Sequence, residues 1–135
     1  MLPDIEVVVV AHLRATTAVA LLTQRVGTKT PPNIAGQFVK VTLIDDEQAP
    51  NSPALHLVHA LVQIDCYGSS NRDSAHAEAS LLARTIREAL VAMPAATHTG
   101  CVVTASRASS RRLPDTDIDP ARERYIVTCD LTLHP

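Results

Sequence analysis

Between residues 57 and 93 the hydrophobic repeat of this chain switches from two to about 3.6, the periods of a strand and of a helix. In LHLVHALVQIDCYG, Val58, Ala60, Val62, Ile64 and Cys66 share one side of an extended chain. On the other side, Leu57 and Leu61 give way to Gln63 and Asp65. In SAHAEASLLARTIREALVAM, Ala75, Ala79, Leu82, Ile86, Ala89, Leu90 and Met93 form one stripe. Arg72, His76, Arg84, Arg87 and Glu88 face outward from it. Ser70 with Asp73 fits a capping box at the helix start, and Pro94 stops the helix. A half-buried strand feeding an amphipathic helix through a short polar turn must bury both apolar faces against each other. That requirement selects a sheet with helices on one side.

The flanking segments fit the same plan. LPDIEVVVVAHLRA combines four valines, which favour strand, with Pro3, Asp4 and Glu6, which favour a helix start. Ile5, Val8, Val9 and His12 fall at helical spacing, so a helix is expected over about 4–14. A second short helical turn follows, capped by Thr16 or Thr17, carrying Val19, Leu21 and Leu22 and ended by Gly27. QFVKVTLID alternates as a strand, and DEQAPNSPA reads as a polar loop. Two further strands are expected over about 101–112 and 122–134, the second with Tyr125, Val127, Cys129, Leu131 and Leu133 on one face. The expected fold is α+β over a single domain, residues 1–135. An antiparallel-rich sheet of about four strands carries an N-terminal helix and one long central helix on one face.

Composition narrows the function. With 12 basic against 14 acidic residues, the chain lacks the basic excess that general binding to nucleic-acid phosphates needs. Its aromatic residues are Phe38, Tyr67 and Tyr125, too few for platforms that stack unpaired bases. Cys66, Cys101 and Cys129 lie in strand segments without CxxC spacing, so buried free thiols and a reducing compartment are expected rather than a zinc site. Asp4 and Glu6 stand where a secretory signal would carry basic residues, and no apolar run approaches a membrane span. A soluble protein, cytosolic at synthesis, is the expectation.

A catalytic reading would use Asp65 and Cys66 with His76 or His59. Adjacent strand residues point to opposite faces, which separates Asp65 from Cys66, and His56 from His59 by its odd spacing. No GxSxG, HExxH, P-loop or GxGxxG motif is present, and Gly68 and Gly100 read as turn residues. No catalytic group, cofactor site or metal site is expected, and the chain is not read as an enzyme.

The strand ALVQIDCYG running through a polar turn into HAEASLLARTIREAL resembles the tail terminator family of long-tailed (siphovirus-type) bacteriophages, also described as tail-completion or tail-to-head joining proteins. The opening LPDIEVVVVAHLRA and the closing RERYIVTCDLTLH agree with that family's order of elements, and the resemblance covers nearly the whole chain. Cys66 and Tyr67 depart from it, because similar proteins often carry a bulkier aromatic after the aspartate. The resemblance implies a structural virion protein, assembled in the host cytoplasm, that forms a homo-oligomeric ring, typically a hexamer. Such a ring sits on the head-proximal end of the tail tube, ends tube polymerisation and provides the surface for head joining. Its implied partners are the major tail tube protein and a head-completion or neck protein, and genome DNA passes through it without sequence-specific binding. The alternatives are another neck component, such as a head-closure or connector protein, and a small non-viral α+β ligand-binding domain.

One segment has a charge pattern suited to assembly. SRASSRRLPDTDIDPARER sets Arg107, Arg111 and Arg112 before Asp115, Asp117 and Asp119, then Arg122 and Arg124. It reads either as a solvated hairpin tip or as a subunit contact in which a basic stretch meets the acids of a neighbour. Repeated head-to-tail contacts of the second kind close into rings.

Overall fold

A computed structural model describes residues 4–31, 36–48, 57–69, 74–94, 96–98, 100–116 and 122–135. In chain order the elements are α1 (Ile5–Ala15), α2 (Thr17–Ala20), β1 (Val26–Gly27), β2 (Phe38–Gln48) and β3 (Val58–Tyr67). They continue as α3 (Ala75–Val91), β4 (Ala96–His98), β5 (Cys101–Arg112) and β6 (Arg124–His134). The six strands lie in the order β1-β2-β3-β6-β5-β4. All neighbours are antiparallel except β1, which runs parallel to β2. The fold is α+β. Its four long strands are those the sequence announces, and two short strands extend the sheet at its edges.

The core lies between the helices and one face of the sheet. Ala60, Val62, Ile64 and Cys66 of β3 are buried there with Val127, Cys129, Leu131 and Leu133 of β6. α3 covers them with Leu82, Ala83, Ile86, Ala89 and Leu90, and Met93 follows the helix. Ala79 and Ala83 are fully buried, and their small side chains let the helix approach the sheet closely. The valine-rich opening is helical, as its spacing predicts. Ile5, Val8, Val9, Val10 and Leu13 are buried, and this tertiary burial outweighs the strand preference of the valines.

α1 is also tied down by polar contacts. Asp4 Oδ1 accepts from the Glu6 backbone N–H at 2.9 Å, and Glu6 Oε2 accepts from the Leu43 N–H at 2.8 Å. His12 Nε2 donates to the Ala89 carbonyl at 2.7 Å, and His98 Nε2 donates to the Met93 carbonyl at 2.9 Å. The two imidazoles meet edge to face at 5.1 Å and lock α1 against the end of α3.

Several local expectations are revised. Thr16 occupies the N-cap of α2, but its Oγ1 donates back to the His12 carbonyl at 2.8 Å instead of capping the new helix. Leu21 is 81% exposed, because α2 ends before it. Gly27 belongs to β1, opposite Lys40 of β2, and does not mark a helix end. Residues 46–48, read as the start of a loop, continue β2, because a bulge between Leu43 and Asp45 re-phases the strand against β3. Ser70 and Asp73 lie outside the described residues. The N-cap of α3 is Ser74, whose Oγ donates to Glu78 Oε1 at 2.7 Å.

The turn from β3 into α3 requires a glycine. A Cβ on Gly68 would stand 2.2 Å from the Ala75 carbonyl oxygen, so any side chain there would push strand and helix apart. Gly100, with φ of 87°, makes the tight turn between β4 and β5.

The α3 stripe predicts its own energetics. Leu82 is fully buried, whereas its neighbour Leu81 is 44% exposed. Leu82→Ala should lower unfolding free energy by about 2–5 kcal/mol. Leu81→Ala should stay within about 0.5 kcal/mol of wild type. Urea unfolding followed by circular dichroism measures both, and equal effects would contradict the assigned helix face.

Candidate functional site

The sheet has a second face, turned away from the helices. Cross-strand partners lie on the same face, so register assigns its residues. Asp130 follows the buried Cys129 and therefore faces away from the core, as do its partners Leu61 and Arg107. Lys40, Thr42, Asp45 and Glu47 of β2 share this face with His59, Leu61, Gln63 and Asp65 of β3. Thr128 and Asp130 of β6 and Arg107, Ser109 and Arg111 of β5 complete it.

One end of this face carries a small polar and aromatic core of its own. Phe38 and Tyr67, directly opposite in register, stack with ring centres 4.3 Å apart and planes 15° from parallel. The Arg122 guanidinium lies over both rings, 5.5 Å from Phe38 and 5.9 Å from Tyr67. Arg122 Nη2 donates to the Gly68 carbonyl and, at 3.2 Å, to the Gly36 carbonyl. The Tyr67 hydroxyl donates to Asp115 Oδ2 at 2.8 Å, and Arg124 Nη1 stands 3.7 Å from the same oxygen. Asp115 and Arg122 are joined by two backbone hydrogen bonds, of 2.8 and 2.9 Å. Leu113 and Asp115 therefore pair back on Arg124 and Arg122, and the contacts of Tyr67 and Arg122 hold them at the end of the sheet.

This geometry divides the charged residues singled out in the sequence. Asp115 and Arg122 are buried and engaged within the chain, so they are not offered to a neighbour. Sequence reasoning could not see this, because burial of that pair depends on Phe38 and Tyr67 from distant strands. Arg124 is partly buried, its Nε donating to the Leu113 carbonyl at 2.9 Å. Arg112 forms a two-point ion pair with Glu123, at 2.8 and 3.2 Å. Arg107 and Arg111 are exposed on β5, and Asp117 and Asp119 lie outside the described residues.

The acidic residues missed in the sequence are Asp45, Asp46 and Glu47. All three are exposed on β2, next to one margin of the sheet. Their signal was the run DDE itself, divided between the end of an expected strand at Asp45 and an expected loop from Asp46. With His59, Leu61 and Asp130, Asp45 and Glu47 line a shallow depression on the open face. No group of three or more His, Cys, Asp or Glu among the described residues is arranged to hold a metal ion.

The opening strand places its polar groups as alternation requires. Asp65 is buried on the open face, where Oδ1 accepts from Gln63 Nε2 at 3.0 Å. Cys66 points into the main core, where burial, reinforced by the Asp65 charge, pushes its thiol well above the ordinary range. His76 is exposed and shares a 3.0 Å hydrogen bond with the Tyr125 hydroxyl. These groups do not converge. Cys101 and Cys129 are also buried free thiols, both shifted upward by desolvation.

With the geometry in view, comparison with known proteins adds one finding. The chain is similar in fold to a chain of a solved structure described as the virion of native gene transfer agent (GTA) particle. The match covers 97% of this chain and 95% of that one, with a TM-score of 0.68 and 19% sequence identity. No protein-family model matches the chain, and no curated protein is significantly similar in sequence.

The clamp has a pH signature. Burial first, and then the Asp115 carboxylate that accepts its hydrogen bond, push the Tyr67 hydroxyl up from 10 to about 12. A group whose folded pKa is raised stabilises the fold fully below its unfolded pKa and loses that contribution as pH rises through the folded value. Wild-type stability should therefore fall between about pH 10 and 12. Tyr67→Phe should flatten that decline and cost about 1–3 kcal/mol at neutral pH, because a buried carboxylate loses its donor. Unfolding measured across the alkaline range tests both statements.

The thiols give a second expectation. In the native protein Cys66, Cys101 and Cys129 should resist maleimide at neutral pH and become fully reactive only in denaturant. Rapid native labelling of Cys66 would contradict its placement in the core.

Proposed function

We propose that this chain is a structural component of a tailed, phage-like particle. In this reading it closes the head-proximal end of the tail tube as a ring of identical copies. The supporting observation is the likeness in fold, across nearly the whole chain, to a chain of the gene transfer agent virion. The tail-terminator resemblance of the sequence supplies the finer assignment.

The action of such a ring is surface burial. One side covers the last ring of tube protein and removes the surface on which the next would add. The other side presents a new surface to the head-completion protein, and genome DNA passes through the opening. No bond is made or broken, and neither a cofactor nor a metal has a role. The clamp of Arg122, Asp115, Tyr67 and Phe38 joins the end of β5 to the start of β6 in this reading.

Particle assembly without this chain tests the proposal. The expected result is tail tubes of excess and variable length that fail to join heads, with normal tails restored by adding the protein back. Tubes of normal length that remain unjoined would assign the chain to head closure instead. Normal-length tails joined to heads would overturn the proposal.

A further inference from the structure

The two margins of the sheet carry opposite charge. β1 pairs only with Val39 and Lys40 of β2, and Glu6 occupies the Leu43 N–H. The rest of that margin, from Ile44 onward, has no strand beside it among the described residues, and it holds Asp45, Asp46 and Glu47. At the other margin β4 pairs only with Cys101–Val103, leaving the stretch of β5 with Arg107, Arg111 and Arg112 uncovered among the described residues. Charges and bulges on edge strands ordinarily serve to prevent sheets from joining. Here the signs differ. Joining two β2 margins sets acid against acid, and joining two β5 margins sets arginine against arginine. Joining β2 of one copy to β5 of the next brings opposite charges together.

Strand direction and register agree with that pairing. From β2 through β3 and β6 to β5 there are three antiparallel steps, so β5 runs antiparallel to β2. A second copy set beside the first in the same orientation presents its β2 antiparallel to the first copy's β5. Asp45 pairs with Leu61, Leu61 with Asp130, and Asp130 with Arg107, so Asp45 and Arg107 occupy one rung of the sheet and the same face. A neighbour added without axial shift sets its Asp45 opposite Arg107. Its Glu47 lies two residues along on the same face, within diagonal reach. Ile44, 51% exposed on the same stretch, supplies apolar surface for the contact.

We infer that a second copy of this chain docks by its β2 margin (Asp45, Glu47) on the β5 margin (Arg107), continuing the antiparallel sheet head to tail from copy to copy. This rests on the ring reading and names the surfaces that would build the ring. It also relocates the acidic partner of the β5 arginines from the segment after β5 to β2.

Single cysteines test the contact. Within one chain Asp45 and Arg107 are three strand spacings apart, about 14 Å, beyond the reach of a disulfide. Directly opposed antiparallel residues are within that reach. Asp45→Cys and Arg107→Cys proteins, both at exposed positions and checked for native melting, are oxidised separately, mixed, and combined in one chain. The mixture should give a disulfide-linked dimer while each variant alone stays monomeric, and the doubly substituted chain should give multimers that stop at one size. A monomeric mixture, or dimers from either variant alone, would overturn the inference. Wild-type protein that assembles into rings by native mass spectrometry alongside a monomeric mixture would remove this contact and leave the ring reading intact. An open-ended ladder from the doubly substituted chain would support the contact and count against a closed ring.

Discussion

The row Ala60, Val62, Ile64 and Cys66 on β3 is the constraint on which the remaining structure depends. β3 is paired on both sides, so its backbone is satisfied and its two faces alone decide where everything else goes. The apolar row accepts α3, while α1 packs on the neighbouring β2 and β1. The alternate row, ending in Asp65 and Tyr67, has to face away from the helices. A shift of one residue in register would exchange the rows and bury Gln63 and Asp65 under the helices. The bulges in β2 and β5 are accommodated only at the outer strands, where they re-aim side chains without disturbing this central arrangement.

From that constraint the second face acquires its character. At one end Tyr67 and Phe38 need cover, and the segment after β5 provides it by laying Arg122 over the two rings. An arginine suits this position. Its planar guanidinium can stack on aromatic faces while its N–H groups reach the carbonyls of Gly36 and Gly68. Gly68 thus serves two purposes, admitting the close approach of Ala75 on one side and receiving Arg122 on the other. Among the described residues the far end of the same face has no such cover and exposes charges whose sign changes from one margin of the sheet to the other. A clamped end and a bipolar expanse suit the proposed assembly from identical copies.

Much of this could be read directly from residue order. Alternation in β3 and β6, the apolar stripe of α3 and the acid-led start of α1 each predict their elements, because local periodicity and burial point to the same state. The core position of all three cysteines follows from the same alternation. Separation of Asp65 from Cys66 also follows, since it needs only the fact that neighbouring strand residues face opposite ways.

What the sequence could not determine were matters of partnership between distant segments. Asp115 and Arg122 read as surface charges because they belong to a charge-rich stretch, yet stacked rings from β2 and β3 draw them inward. Asp46 and Glu47 read as loop because they open a polar, proline-containing segment, yet pairing with β3 extends β2 through them. The opposite polarity of the two margins exists only once the order β1-β2-β3-β6-β5-β4 is known. Periodicity is a property of neighbours along the chain and was legible by itself. Which strands stand at the edges, and which charges they therefore leave exposed, is a property of long-range pairing, and tertiary structure alone decided it.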